Sequence, residues 1–465
     1  MATVRAFIIP GVSVFILLGC DTGIQISNPI DAPEITEFNI SGNPENILSA
    51  VGRIRTNNAV SVRIEYGTDT SMNFRTPLRT VGNKAVRIPL LGLEPEKTYW
   101  AKPVAISQHG HERSGDSVTF TTGSLPSDMP RLVIHESDNP APGYVMAGFT
   151  GAGAHAYGVI FNSVGDVLWY RRFEGSVIDF QKQPNGNYTA CVARPGYATQ
   201  FYEADILGTI VRSYQARENR ETDVHELRID GDAHVLFGIE YREMDLSEFG
   251  GLANAIVKGI VVEYYRPESV PLYWNTFDHF SVTDAADNIS LLGQNVNPWH
   301  GNALEIDVDG NLLASFRHTE EVTQIDANSG NIVWRLGGEN NEFEFVGDPF
   351  NGFSHQHGIR RLENRNIILF DNGNRRSPQE SRAVEYHLDE QLKRATLVWE
   401  YRATPPLYSS ALGFAQRLPG GHTFITYGRV PRLVEVDPFG RKRWEASVAE
   451  PVQFIYRSFK ISSLY

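Results

Sequence analysis

WHGNALEIDVDGNLLASFRHTEEVTQIDANSGNIVWRL, residues 299–336, holds two hairpins in tandem. Apolar and polar residues alternate on either side of Asp309-Gly310, the pattern of two antiparallel strands with a buried face. A second alternation turns at Ser329-Gly330 and ends in a strand carrying Trp334. Four short strands in so short a span form a sheet too small to bury its own faces, so it must be stacked on copies of itself.

Such copies are present from Arg131 onward. The second hairpin recurs as YGVIFNSVGDVLWY, FYEADILGTIVRSY, EYHLDEQLKRATLVWEY and LVEVDPFGRKRWEA, with VVEYYRPESVPLYW as a diverged copy. Trp169, Arg212, Trp274, Trp334, Trp399 and Trp444 hold the equivalent place. They are spaced by 43, 62, 60, 65 and 45 residues, so insertions fall between units. The first hairpin recurs as GYVMAGF, FQKQPNGNYTACV, LRIDGDAHVLFG, IRRLENRNIILFD and AQRLPGGHTFITYG, whose Gly-containing turns suit type I′ geometry. Six pairs of hairpins predict an all-β chain with a six-bladed β-propeller over residues 131–465. A solenoid is the alternative, disfavoured because neither end carries a polar cap.

Residues 33–125 precede the repeat and read as a small β-sandwich, through SVRIEYG, AVRIPLLGL, YWAKPVAIS and SVTFTTG. LGLEPEKTYW resembles a fibronectin type III signature, with Tyr99 as its tyrosine corner. Such a module is expected to be a spacer or a contact in a homo-oligomer, and SLPSDMP links it to the repeat. Residues 1–20 combine Arg5, an apolar run and Cys20, and LLGC resembles a bacterial lipobox. The run is too short to span a bilayer. The expectation is an exported lipoprotein, periplasmic or at the cell surface, anchored to a membrane through Cys20 and a tether over 21–32. Cys191 then has no partner for an internal disulfide.

The 465 residues are 41% hydrophobic and 21% charged, a composition that excludes a disordered chain. Forty-two basic against 55 acidic residues give a net charge of −13, which argues against nucleic acid as a partner. An anionic small substrate would need a local cluster of positive groups.

Three entrances to innermost strands carry histidine. Asp223-Val-His225 opens the third unit, Trp299-His300-Gly-Asn302 the fourth and His355-Gln-His357 the fifth. Arg317 ends the second strand of the fourth unit, and Asp371-Asn-Gly-Asn-Arg375-Arg376 stands at the matching place in the fifth. His234, His422, His279 and His387 are expected on turns or outer strands, and His318 to point away from Arg317 by strand alternation. Imidazoles beside an arginine admit two chemistries. His355 and His357 at i and i+2 can share a strand face and a metal ion. Alternatively, cationic donors cradle a tetrahedral oxyanion while one imidazole attacks it. The second is preferred, because Arg317 would repel a dication and no carboxylate occupies a fourth matching entrance. Sulfuryl transfer, like phosphoryl transfer, depends chiefly on positioning and positive donors.

WHGNALEIDVDGNLLASFRH, VTQIDANSGNIVWRLGG and FSHQHGIRRLENRNIILFDNGNRR resemble the bacterial aryl-sulfate sulfotransferase family, from about Arg131 to the C-terminus. The resemblance implies a propeller enzyme that moves sulfate from a phenolic sulfate ester to a phenol acceptor, without a nucleotide donor or other cofactor. It implies His300, Asn302 and Arg317 as ligands of the sulfate, His357 as a transiently sulfated nucleophile and His225 as a further active-site histidine that exchanges the proton with the phenols. His355 and Arg376, from the fifth unit, are expected to assist in binding substrate. Gly358 departs from the pattern, since an acidic residue is common there, and the chain lacks the family's cysteine pair. No G-x-x-x-x-G-K-[ST] loop is present to hold a nucleotide. DVDGN at 307–311 is read as a hairpin turn rather than a calcium loop. The rival readings are a non-catalytic propeller that binds a glycan or protein, and a metal-dependent hydrolase.

Overall fold

The computed structural model describes residues 32–82, 85–150, 155–449 and 451–465. Cys20, the apolar run before it and all but the last residue of the tether lie outside them. No helix among the described residues is long and apolar enough to cross a membrane.

Two sheets form first. Glu34–Gly42, Ala50–Asn57 and Val86–Leu90 make a three-stranded sheet. Ser61–Gly67 and Thr98–Ile106 pair at the centre of the second, with short strands at their edges. Ile54, Val62, Ile64, Ile88, Leu90 and Tyr99 fill the space between them. The Tyr99 hydroxyl accepts the Glu94 amide at 2.9 Å, tying the loop to its strand.

Six further sheets follow, each with four antiparallel strands, in chain order in all but the first, and the third, fifth and sixth carry an added edge strand. The second runs Ser176–Lys182, Tyr188–Ala193, Gln200–Ala204 and Ile210–Tyr214. The third begins at Glu221–Asp230, the fourth at Gly301–Ile306, the fifth at His357–Arg361 and the sixth at Phe414–Arg417. The first borrows its innermost strand from the C-terminus: Ser458–Ile461 pairs with Tyr144–Thr150. Leu132–Ser137, in turn, adds an outer strand to the sixth sheet. Each innermost strand packs against the next, and the sixth returns to the first, so the sheets close into a ring. The C-terminal strand was not anticipated from sequence.

Trp169, Arg212, Trp274, Trp334, Trp399 and Trp444 all lie in the fourth strand of their sheets, as the repeat predicts. Indole Nε1 of Trp169 donates to the Ile206 carbonyl at 2.8 Å, and that of Trp444 to the Ser163 carbonyl at 2.8 Å. In both cases the indole holds the outer turn of the next sheet. Between the third and fourth sheets the core is Val235, Phe237, Ile260, Trp274, Leu304, Leu312 and Phe316. Each such aliphatic or aromatic side chain contributes about 1.5–3 kcal/mol by leaving water.

The hairpin turns differ from expectation. At 307–311 the Gly310 amide donates to Asp307 O at 2.9 Å and the Asp307 amide to Asn311 O at 2.8 Å. Only Gly310 is left-handed there, at φ +84°. Type I′ geometry requires two left-handed residues, so this is a three-residue loop: a type I turn closed by a glycine bulge. The same bonds recur at Gly165, Gly186, Gly208 and Gly440. In the fifth sheet a side chain takes the glycine's place, with Arg365 at φ +67°.

The sandwich is docked on the ring. Leu48 joins the apolar cluster of Phe161 and Phe424, and Leu91 that of Trp169 and Leu464. Asn43 Nδ2 donates to Leu207 O at 2.6 Å, and the Tyr465 hydroxyl to Pro89 O at 3.3 Å.

Candidate active site

Residues at or near the start of five of the six innermost strands meet at one mouth of the ring. His225 does not open its strand as expected but sits within Glu221–Asp230, where the register shifts between Thr222 and Leu227. Tyr456, leading into the C-terminal strand, places its ring 5.5 Å from His225 of the third sheet. His225 lies 4.9 Å from His300 of the fourth. Asn302 Nδ2 donates to Gln356 O at 2.7 Å, reaching the fifth. His357 Nε2 accepts the Leu412 amide at 3.2 Å from the segment before the sixth, and the Gly413 amide donates to Tyr456 O at 3.1 Å, closing the circuit.

His357 is buried. Its Nδ1 lies 2.7 Å from Asn372 Oδ1, which can only accept. The proton therefore sits on Nδ1 and the lone pair on Nε2. Asn372 is itself fixed by donating to Ser409 O at 2.7 Å and Leu412 O at 2.9 Å. Burial, then the positive charge of Arg317, holds the His357 imidazole well below its ordinary value, so it is neutral at pH 7.

His300 is held low in the same way, by burial and then by His225, His318 and Arg317. Arg317 spends one N–H on Ser410 O at 3.0 Å. Its buried Nε has no hydrogen-bond partner among the described residues, which leaves it free to donate to an oxyanion.

His318 corrects the sequence reading. The second strand of the fourth sheet ends at Phe316, so residues 317–320 form a turn and strand alternation no longer applies. The His318 ring stacks on His300 at 4.6 Å, and its Nδ1 lies 2.6 Å from Asn297 O. Burial, acting first, pushes its pKa down to about 4. His279 is also displaced from expectation: it ends a short helix, Thr276–His279, and stacks on Trp274 at 4.6 Å.

Two residues named from sequence sit differently from their expected places. His355 precedes its strand in a left-handed conformation, φ +54°, so it does not share a strand face with His357. Both of its nitrogens are engaged, Nδ1 with Glu320 Oε1 at 2.8 Å and Nε2 with Asn288 Nδ2 at 3.2 Å. Arg376 pairs with Asp371, donates to Glu380 O at 2.9 Å and stacks on Phe350, outside the cluster. Asn302 spends one of its two amide N–H groups on Gln356 O and keeps the other, and its Oδ1 has no partner among the described residues. No three His, Cys, Asp or Glu side chains among the described residues are placed to share a metal ion.

Sequence reasoning missed Asn297, Tyr456 and Arg457, and quoted Asn372 only as part of the run 371–376, without a role. Arg457 Nη2 donates to His225 O at 2.8 Å and to the Tyr456 hydroxyl at 2.7 Å, and that hydroxyl donates to Asn302 O at 2.6 Å. A residue that acts by holding neighbours leaves no spacing motif, which is why these were invisible.

Among solved structures, a protein of unknown function from Bacteroides caccae is 13% identical, with a TM-score of 0.44 over 70% of this chain and 100% of its own. A catalytically inactive virginiamycin B lyase from Staphylococcus aureus, solved with quinupristin, is 11% identical, with a TM-score of 0.36 over 68% of this chain and 88% of its own. No curated protein matches the chain in sequence. The family model for arylsulfotransferases (ASST) matches residues 130–450. That span takes in every histidine of the mouth and Arg317, and leaves out only Tyr456 and Arg457 of the groups above; the chain belongs to the arylsulfotransferase family.

Proposed function

We propose that the chain is an aryl-sulfate sulfotransferase that moves a sulfuryl group from a phenolic sulfate ester to a phenol through a sulfohistidine at His357, with no nucleotide donor. The observation that carries this reading is the setting of His357: Nδ1 held by Asn372, burial that keeps the ring neutral, and Arg317 beside it. Nε2 attacks sulfur while the bond from sulfur to the phenolic oxygen breaks. The departing oxygen leaves as phenolate or takes a proton from His225. Arg317 and His300 donate to the sulfuryl oxygens, on which charge accumulates. An acceptor phenol then attacks the same sulfur, its proton passes to His225, and the bond between sulfur and Nε2 breaks with its electron pair returning to His357. Before the first step, the Leu412 amide must release Nε2.

In this reading the ring is a six-bladed β-propeller closed by the C-terminal strand, and the sandwich is a fibronectin type III-like module. The protein is exported and anchored through a lipid on Cys20. A chromogenic aryl sulfate tests the activity. Phenol release should be slow alone and should rise at least tenfold on adding a phenol acceptor, with a new aryl sulfate formed. Release that ignores the acceptor, or no release at all, would remove the transferase reading.

A further inference from the structure

The proton-transfer side of the mouth contains a group the reaction above does not use. Asp223 is buried two residues before His225. Its Oδ1 contacts His225 Nδ1 and also accepts the His225 amide at 3.1 Å. Its Oδ2 accepts from Lys258 Nζ at 3.1 Å. Both carboxylate oxygens are thus taken, and the amide and imidazole of His225 are gripped by the same atom. Asp223, His225 and Lys258 line a cavity of about 910 Å³, together with Tyr197 and Arg217. Other groups face the imidazole: His300 at 4.9 Å, Tyr456 at 5.5 Å and Arg457, which donates to the His225 carbonyl.

We infer that Asp223 is a positioning residue that makes His225 the general base for the acceptor phenol, which occupies this cavity, and that Lys258 is the counter-ion that keeps Asp223 ionised. The inference rests on the proposed transfer reaction. An ionised carboxylate fixes the proton on His225 Nδ1 and directs the Nε2 lone pair away from itself. Burial alone would favour the neutral acid; His225 and Lys258 outweigh it and hold the carboxyl below its usual range. In the acceptor step the phenol O–H bond breaks, its proton moves to His225 Nε2, and the new bond from oxygen to sulfur forms as the His357 bond to sulfur breaks. The positive charge gained by His225 is stabilised by Asp223.

The two half-reactions separate the claim from its foundation. With 4-nitrophenyl sulfate the first step needs little proton donation, because nitrophenolate is a good leaving group. Asp223→Ala should therefore keep the initial burst of one nitrophenol per protein. It should slow transfer to unsubstituted phenol at pH 7 by about a hundredfold, the usual scale of general base catalysis. The deficit should shrink as the pH approaches the phenol's own pKa, about 10, because phenolate needs no base. Asp223→Ala leaves Lys258 without its partner, so the double variant Asp223→Ala/Lys258→Met, which removes both charges, should be measured alongside and behave the same way. A burst and an acceptor step that fall together, or an acceptor deficit equal at pH 7 and pH 10, overturns the inference and leaves the sulfohistidine in place. A wild-type protein without a burst overturns the sulfohistidine itself, and this inference with it.

Discussion

Arg317 and His318 are neighbours in sequence and partners at the mouth, because the turn that holds them lets both side chains face one way. Arg317 is the one whose chemistry cannot be imitated. Its planar fork can meet two sulfuryl oxygens while a third N–H stays on Ser410; an ammonium offers a point charge in one place. Arg317→Lys should lower kcat/KM for aryl sulfates by about a hundredfold, a barrier change of about 2.7 kcal/mol, while Tm moves little. A large fall in Tm with activity retained would return Arg317 to a structural role. The histidines and Arg317 were legible because each stands at a repeated place in a repeated unit. His318 was not, since its direction depends on a strand ending at Phe316 rather than two residues later. His355 shows the opposite error: adjacency to His357 made it a ligand on paper, whereas a left-handed backbone turns its ring to Glu320.

Hairpins were readable from sequence as elements but not in their exact turn geometry. Asp-Gly and Asn-Gly pairs announce a turn; whether two or three residues bridge the strands is decided by which amide closes it. The consequence is testable at Gly310 and Arg365, which occupy the same place in adjacent sheets. A Cβ at Gly310 would meet nothing within 4 Å, so Gly310→Ala isolates the cost of the left-handed backbone, about 1 kcal/mol. Arg365→Gly should gain a similar amount, because its carbonyl contact with Arg361 Nη1, at 2.8 Å, is kept. Denaturant midpoints measure both. Equal and opposite shifts support the bulge assignment; a stabilised Gly310→Ala would refute it.

On the scale of the whole molecule, the sequence repeat predicted an all-β chain of antiparallel sheets but not how the ring closes. Ser458–Ile461 has no hairpin partner nearby; its partner lies more than 300 residues earlier, and no local pattern reports such a pairing. The same closure brings Tyr456 and Arg457 into the mouth, so ring integrity and site geometry are one property. Docking of Leu48 and Leu91 onto the ring was likewise unreadable, since apolar residues of the sandwich look alike whether they face inward or outward. Several imidazoles of the ring are buried and neutral: burial pushes His318 and His234 down to about 4, and holds His300 and His357 well below their ordinary value. An unfolded histidine titrates near 6.5. On the histidines' account the native state binds fewer protons than the unfolded one between about pH 6.5 and pH 4. The four histidines outnumber Asp179 and Glu321, which burial raises to about 7 and which act in the opposite sense, so stability falls as the pH drops through that window. Tm should be steady above pH 7 and decline below about 6.5. His234→Gln, away from the mouth, should flatten the decline. A Tm that holds or rises between pH 6.5 and pH 4 would contradict the buried neutral set.

The central claim is that His357 carries the sulfuryl group between two phenols. Wild-type protein should be incubated with an aryl sulfate and no acceptor, quenched at alkaline pH, digested and read by peptide mass spectrometry. One sulfuryl group should appear on the peptide containing His357, vanish when phenol is added before quenching, and be absent from His357→Asn. An adduct on His300 or His355, or no adduct in a protein that still transfers sulfate, would contradict the account.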